Sequence, residues 1–194
     1  MLITKIFTAE NSHIVRRAFS TFCSQNTHGH SYKIELTLQG NSLDNAGMLV
    51  DFGVLKGPIK DMIESMDHSH TLWMGDSNEY REFIKKFNHR WIETPFNPTA
   101  EMLSIFIFRY VQYIIDHTTF TNGEGDVKVY SVRVHETATG SATCFEDDVQ
   151  NIWKDEWFEQ LIFSNGIKEH WCPELLNIMR GGTYIVPEVV NCRV

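Results

Sequence analysis

The chain has 194 residues, 42% of them hydrophobic, enough to bury one core near the usual size of a single domain. Its 17 Lys and Arg against 25 Asp and Glu give a net charge of −8, which repels phosphate backbones, so DNA and RNA are not expected as partners. No apolar run approaches the ~20 residues of a membrane span, and the opening MLITKIFTAENSH lacks the apolar centre and cleavage site of a signal peptide. A soluble, cytoplasmic protein is therefore expected. Cys23, Cys144, Cys172 and Cys192 are scattered without the spacing of a disulfide framework and are expected as free thiols.

Residues 2–7 form a short apolar run. Tyr32, Ile34, Leu36 and Leu38 alternate with Lys33, Glu35 and Thr37, the period of a half-buried strand, and predict a strand over 28–39. After the turn-like NSLDNAG, Leu55, Ile59, Met62, Ile63 and Met66 recur at helical spacing and predict an amphipathic helix ending near Asp67. A second helix is predicted from Asn97, with Pro98 in its first turn and Glu101 close behind, to about Asp116. Its apolar residues, from Met102 to Ile115, cover most of its circumference, which predicts burial against both a sheet and a neighbouring subunit. A strand is predicted over 127–136, after the loop TNGEG in which Gly123 and Gly125 mark the turn. This order gives an α+β class, an antiparallel sheet with two helices on one face, over a domain of residues 1–145. Residues 146–194 read as a C-terminal extension, helical at its start, where Val149, Ile152, Trp153, Trp157 and Leu161 suggest an amphipathic helix; Gly181, Gly182 and Pro187 mark a loose end.

The densest chemistry is Cys23-Ser-Gln-Asn-Thr-His28-Gly29-His30, with His13 ten residues before the cysteine. On an extended segment, residues two apart face the same way, so His28 and His30 can aim at one ion, and Gly29 leaves room for close approach. Three imidazoles with an open fourth position make a catalytic zinc site, able to polarise a carbonyl or acidify a bound hydroxyl. A bare His-x-His pair is more often two surface histidines, and a free cysteine is more often a small buried hydrophobe. The place of Cys23 just ahead of the pair, and the blocks along the rest of the chain, favour a site.

Those blocks run in order: Phe7, Ala9 and His13; Cys23 ahead of His28 to Tyr32; VDFGVLK at 50–56; MDHSHTL at 66–72; FNPTAE at 96–101; and VHET at 134–137. Together they resemble the 6-pyruvoyl-tetrahydropterin and 6-carboxy-tetrahydropterin synthase family over about residues 3–144. Four residues separate Cys23 from His28, where members of that family have three or five, and the Phe7-to-His13 segment is two residues longer than the common form. The resemblance implies a tunnelling fold (T-fold), in which oligomerisation joins sheets into a barrel, and a homohexamer with sites between subunits. It implies that His13, His28 and His30 bind Zn2+ and that Cys23, Asp67 and His68 form the proton-transfer group. It also implies that Glu136, with Thr137 and Thr99, anchors the pterin ring. Outside the resemblance, Asp67 and His68 also read as a helix C-terminal pair, Glu136 as a solvated strand-end acid, and His70 as an alternative to His68.

The implied activity is zinc-dependent conversion of 7,8-dihydroneopterin triphosphate to 6-carboxy-5,6,7,8-tetrahydropterin, with release of acetaldehyde and triphosphate, in the synthesis of 7-deazaguanine bases such as queuosine. Arg16, Arg17, Lys5 and Lys33, close in sequence to the histidines, are candidates to hold the triphosphate. Two other readings stand beside it: a 6-pyruvoyl-tetrahydropterin synthase that only eliminates triphosphate, and a non-catalytic zinc-binding interaction module. GTP ring opening on a related scaffold lacks these blocks.

Overall fold

The computed structural model describes residues 1–188; Cys192 lies outside the described residues. Strand β1 (Leu2–His13) pairs antiparallel with β2 (His28–Gln39) without a slip, from Leu2 opposite Gln39 to His13 opposite His28. The predicted 28–39 strand is present as read. The apolar run at 2–7 continues as strand to His13, because its inward positions Phe7, Ala9, Asn11 and His13 all find buried partners. Asn11 shows how a polar residue is accommodated there: its amide donates to the carbonyls of Met66 (2.9 Å) and Ser69 (3.0 Å). The connection between the two strands carries a short helix, α1 (Thr21–Gln25), with Cys23 at its centre.

The single helix predicted to end near Asp67 is broken in two. A 3-10 turn (Val54–Lys56) stops at Gly57, and α2 (Pro58–Glu64) starts afresh. Pro58 is the cause: it has no N–H for a helical bond and disfavours helical geometry in the residue before it, yet suits a first helical position. Asp67 and His68 lie in the turns beyond α2, before β3 (Ser69–Trp73). Helix α3 (Asn78–Phe87) and strand β4 (Trp91–Thr94) follow. Helix α4 (Ala100–Asp116) begins three residues later than predicted, because Thr99 is its N-cap, accepting from the Met102 N–H, and Pro98 precedes the helix. Then come β5 (Thr118–Thr119), β6 (Lys128–His135) and β7 (Ser141–Phe145). The remaining described elements are α5 (Glu146–Ile152), α6 (Glu156–Gln160), β8 (Ile162–Phe163), α7 (Asn165–Lys168), α8 (Pro173–Ile178) and β9 (Tyr184–Ile185).

The main sheet runs β7-β6-β2-β1-β3-β4-β8. It is antiparallel across β7 to β1 and at β8, while β3 and β4 add as parallel strands beyond β1. Tyr32, Ile34, Leu36 and Leu38 are fully buried with Val129, Val132 and Val134 against α2 and α4, so both predicted helices share one face. Each such side chain contributes roughly 1.5–3 kcal/mol. Helix α3 lies against the other face, where Tyr80 reaches His70.

The outer side of α4 is covered within the same chain, by the segment after Phe145. Tyr110 stacks on Phe158 at 4.4 Å and donates to its carbonyl at 2.9 Å. Phe106 meets Phe163, and Ile167, Leu175 and Ile178 complete the layer with no exposed surface. The all-round apolar character of α4 is thus explained by intrachain packing, not by the neighbouring subunit expected from sequence. No helix among the described residues is long and apolar enough to cross a membrane.

Because the C-terminal segment shares the core, Leu175→Ala is expected to lower stability by about 2–5 kcal/mol. Urea unfolding should show one shifted transition by both tryptophan fluorescence and far-UV circular dichroism. A separate early transition confined to one probe would mean that the segment is only loosely docked.

Candidate functional site

The strand register brings three histidines together at one end of the sheet. His28 and His30 are two apart on β2, and His13 is the cross-strand partner of His28. Their ring centroids form a triangle of 4.6, 5.1 and 5.2 Å, and one ring nitrogen from each lies within 4.8 Å of the others. Gly29 makes the close strand approach possible: a Cβ there would fall 3.2 Å from the Asn11 carbonyl oxygen.

Second partners orient the rings. His13 Nδ1 donates to the Pro98 carbonyl at 2.7 Å and His28 Nδ1 to the Asn26 carbonyl at 3.0 Å, which leaves the Nε2 lone pair of each free to coordinate. His30 Nε2 is buried with no hydrogen-bond partner among the described residues. A buried, partnerless imidazole nitrogen beside two rings with their other nitrogens already engaged fits a divalent cation that takes neutral imidazoles, such as zinc. Burial pushes the His13 pKa down to about 4, against the pull of the Pro98 carbonyl. His30 is also held below its ordinary value, by burial first and against the opposing pull of the Glu136 carboxylate. Both effects favour the neutral form that a metal requires.

Glu136, just past the end of β6, turns its carboxylate onto this cluster. Its Oε1 lies 3.7 Å from His13 Nε2, 3.8 Å from His30 Nε2 and 3.3 Å from the Tyr32 hydroxyl, which donates to it. Tyr32 is fully buried beneath the rings, and burial raises its pKa, so it stays a neutral donor. Sequence reasoning takes Tyr32 as a strand residue and as the end of the His28-to-Tyr32 block, with no role at the site. Its place two residues after His30, on the same strand face, was the available signal.

Asp67 and His68 form a bonded pair, His68 Nδ1 to Asp67 Oδ2 at 2.8 Å. Burial acts to raise the Asp67 pKa, but the Glu10 N–H and His68 together hold it below its ordinary value. An open cleft of about 500 Å³ borders His68 and Arg90 on the sheet face of Glu10, Ser12 and Ser31, positions that alternate with the imidazoles along β1 and β2; His13 and His28 do not line it, and His30 meets its edge. His70 lies elsewhere: it is buried, with Ser12 Oγ at 2.8 Å and the Tyr80 hydroxyl at 3.0 Å on its two nitrogens, and it does not line the cleft. Burial pushes its pKa down to about 4.

The other candidates are more dispersed. Cys23 is half-buried on α1 and does not line the cleft. The Thr99 hydroxyl caps α4, and the Thr137 hydroxyl accepts from Gly140 N–H at 3.0 Å, closing the turn between β6 and β7. Arg16 is committed to Asp76 and to the Ser24 carbonyl, Arg17 packs over Trp73, Lys33 pairs with Glu35, and Lys5 lies over Phe52.

Known proteins resemble this chain in sequence and in fold. The 6-pyruvoyl tetrahydropterin synthase family model matches residues 2–147. A 6-carboxy-5,6,7,8-tetrahydropterin synthase of Helicobacter pylori strain J99 is 37% identical over 177 residues, covering 88% of this chain and 86% of the relative. One of that name from Aquifex aeolicus is 33% identical over 125 residues, covering 63% of this chain and 75% of the relative. Among solved structures, an uncharacterised protein of Wolinella succinogenes gives a TM-score of 0.56 at 19% identity, over 75% of this chain and 98% of that one. The 6-pyruvoyl tetrahydropterin synthase of Caenorhabditis elegans gives 0.52 at 20% identity, over 75% and 94%. The sheet is therefore that of a tunnelling fold, and the protein is an enzyme of the lyase class. The chain belongs to the 6-pyruvoyl tetrahydropterin synthase family.

A pH dependence follows from the two buried imidazoles. His13 and His70 titrate near 4 when folded and near 6.5 when unfolded, so the unfolded chain takes up protons first as the pH drops. Through these groups, stability is complete above about pH 6.5, falls as the pH is lowered from there, and stops falling below about pH 4. Thermal melts in chelator should show that decline, and a melting temperature flat across the window would contradict it.

Proposed function

We propose that the protein converts 7,8-dihydroneopterin triphosphate and water to 6-carboxy-5,6,7,8-tetrahydropterin, releasing acetaldehyde and triphosphate. The observation that carries this reading is the convergence of His13, His28 and His30 beside Glu136, with His30 Nε2 left without a hydrogen-bond partner among the described residues. The names of the Helicobacter and Aquifex relatives favour the carboxy product over the pyruvoyl one.

In this reading the three imidazoles hold Zn2+, which when bound to the substrate's side-chain hydroxyls would acidify the adjacent C–H. Glu136 accepts two parallel hydrogen bonds from the pterin ring N–H and amino group, with the Tyr32 hydroxyl fixing one carboxylate oxygen. In this reading Cys23 removes the carbon-bound proton, and His68, oriented by Asp67, takes and returns protons. Thr99 and Thr137 assist by holding the main chain on either side, as the α4 cap and the β6–β7 turn.

All the proposed groups fall within residues 1–145, the catalytic unit, with 146–194 as its extension. The reading includes a homohexamer whose sheets join into a barrel. The open sheet face supports it, since Leu2, Ile6, Tyr130 and Phe145 are exposed there. A stable monomer in sedimentation would contradict this part.

The direct test is a product assay. Metal-loaded protein given dihydroneopterin triphosphate should release acetaldehyde together with triphosphate, and Cys23→Ala should slow turnover by about 10²- to 10⁴-fold. Triphosphate without acetaldehyde would point to the pyruvoyl branch. No turnover by metal-loaded wild type would favour the non-catalytic module, and unchanged turnover in the Cys23 variant would remove Cys23 from the proton-transfer group.

A further inference from the structure

The turn that carries Asp67 and His68 is built with little support of its own. His68 adopts a φ of 50°, a left-handed conformation that costs energy for a side chain other than glycine, and its imidazole is 77% exposed. Such a turn keeps its shape only where surrounding contacts over-determine it. On the β1 side, His68 N–H donates to the Glu10 carbonyl at 2.7 Å and Glu10 N–H to Asp67 Oδ1 at 2.8 Å.

On the other side stands one guanidinium. Arg90 Nε donates to the Asp67 carbonyl at 3.0 Å, Nη2 to the Glu64 carbonyl at 2.9 Å, and Nη1 to the Gly166 carbonyl at 3.1 Å. A single planar fork thus ties together the end of α2, the turn itself and the C-terminal extension. The extension is fixed in turn by contacts on both flanks of the site. Ser164 N–H donates to the Trp91 carbonyl at 3.0 Å, and Ser164 Oγ accepts from Trp91 N–H at 3.1 Å. Trp171 Nε1 donates to Ser65 Oγ at 2.8 Å, in a buried bond beside α2, and Cys172 N–H donates to Asp61 Oδ2 at 2.8 Å. Gly166 is needed for the approach, since a Cβ there would fall 2.4 Å from the His89 carbonyl oxygen.

We infer that Arg90 is a positioning residue for the Asp67–His68 pair, and that residues 162–172 of the extension serve the site by locking Arg90 against it. The inference rests on the proposed role of that pair in proton transfer. Arg90 acts through the Asp67 main chain, so its removal changes the orientation of the pair more than the affinity for substrate. Lysine cannot reproduce three donors in one plane. The extension meets the Asp67–His68 turn through this segment, and the Helicobacter match, covering 88% of the chain, extends past the end of the family match at residue 147.

The test compares full-length, zinc-loaded wild type with Arg90→Met, Arg90→Lys, Trp171→Phe and His68→Ala. Two readouts are taken: the imidazole NMR signals of His68 without substrate, and kcat, KM and the pH profile with dihydroneopterin triphosphate. Both Arg90 variants should lower kcat by about 10- to 100-fold, the usual scale for losing a group that orients a site residue, with KM held within about twofold. The His68 Nδ1–H signal should lose the downfield position of its bond to Asp67, and the limb of the profile set by the pair should move. Trp171→Phe, which removes only one N–H and serves if the Arg90 variants do not fold, should shift the same signal by less. An unchanged His68 signal in folded Arg90→Met and Trp171→Phe would overturn the inference. Wild-type turnover in His68→Ala would instead overturn the proton-transfer reading, and the His68 signal would still report on the clamp independently.

Discussion

His13 stands opposite His28 because β1 and β2 pair in register over twelve residues each, and a one-residue slip would turn every side chain of one strand to the other face. The same register that buries Ile34, Leu36 and Leu38 therefore places His28 and His30 on the helix-covered face, beside His13. Core and site are two ends of one alternation. Along β2 it runs from leucine and isoleucine through Tyr32 to the two histidines.

Burial has opposite consequences at the two ends. Under α2 and α4 it stabilises the fold through apolar contact. At the histidines it suppresses protonation, so the rings stay neutral, and the protein supplies carbonyl acceptors at Pro98 and Asn26 that select which nitrogen remains free. Pro98 does this because Thr99 caps α4 and Asn97 pairs with the Arg16 main chain, accepting from its N–H at 3.1 Å and donating to its carbonyl at 2.6 Å. The loop ahead of α4 thus belongs to the site as much as to the helix.

Strongly periodic segments were legible in the sequence: β2 by its alternation, α4 by its length and caps, β6 by its β-branched residues. The histidine cluster was legible because His-x-His on a strand has a fixed geometry. What was not legible was short or fully buried. Ser69–Trp73 and Trp91–Thr94 are parallel strands of five and four residues, buried on both faces and so without alternation to read. The helix predicted to end near Asp67 reads as continuous because the apolar spacing runs through Gly57 and Pro58, where backbone chemistry overrides it. The intrachain cover of α4 depends on pairs such as Tyr110 with Phe158, far apart in sequence, which no local pattern reveals.

The central claim is that three neutral imidazoles on β1 and β2 form one metal centre. X-ray absorption at the zinc edge of the purified, metal-loaded protein tests it most directly. The account predicts about one zinc per chain with three nitrogen scatterers at about 2.0–2.1 Å and no sulfur shell. A sulfur shell near 2.3 Å, or zinc that stays bound at full stoichiometry after His30→Ala, would contradict it.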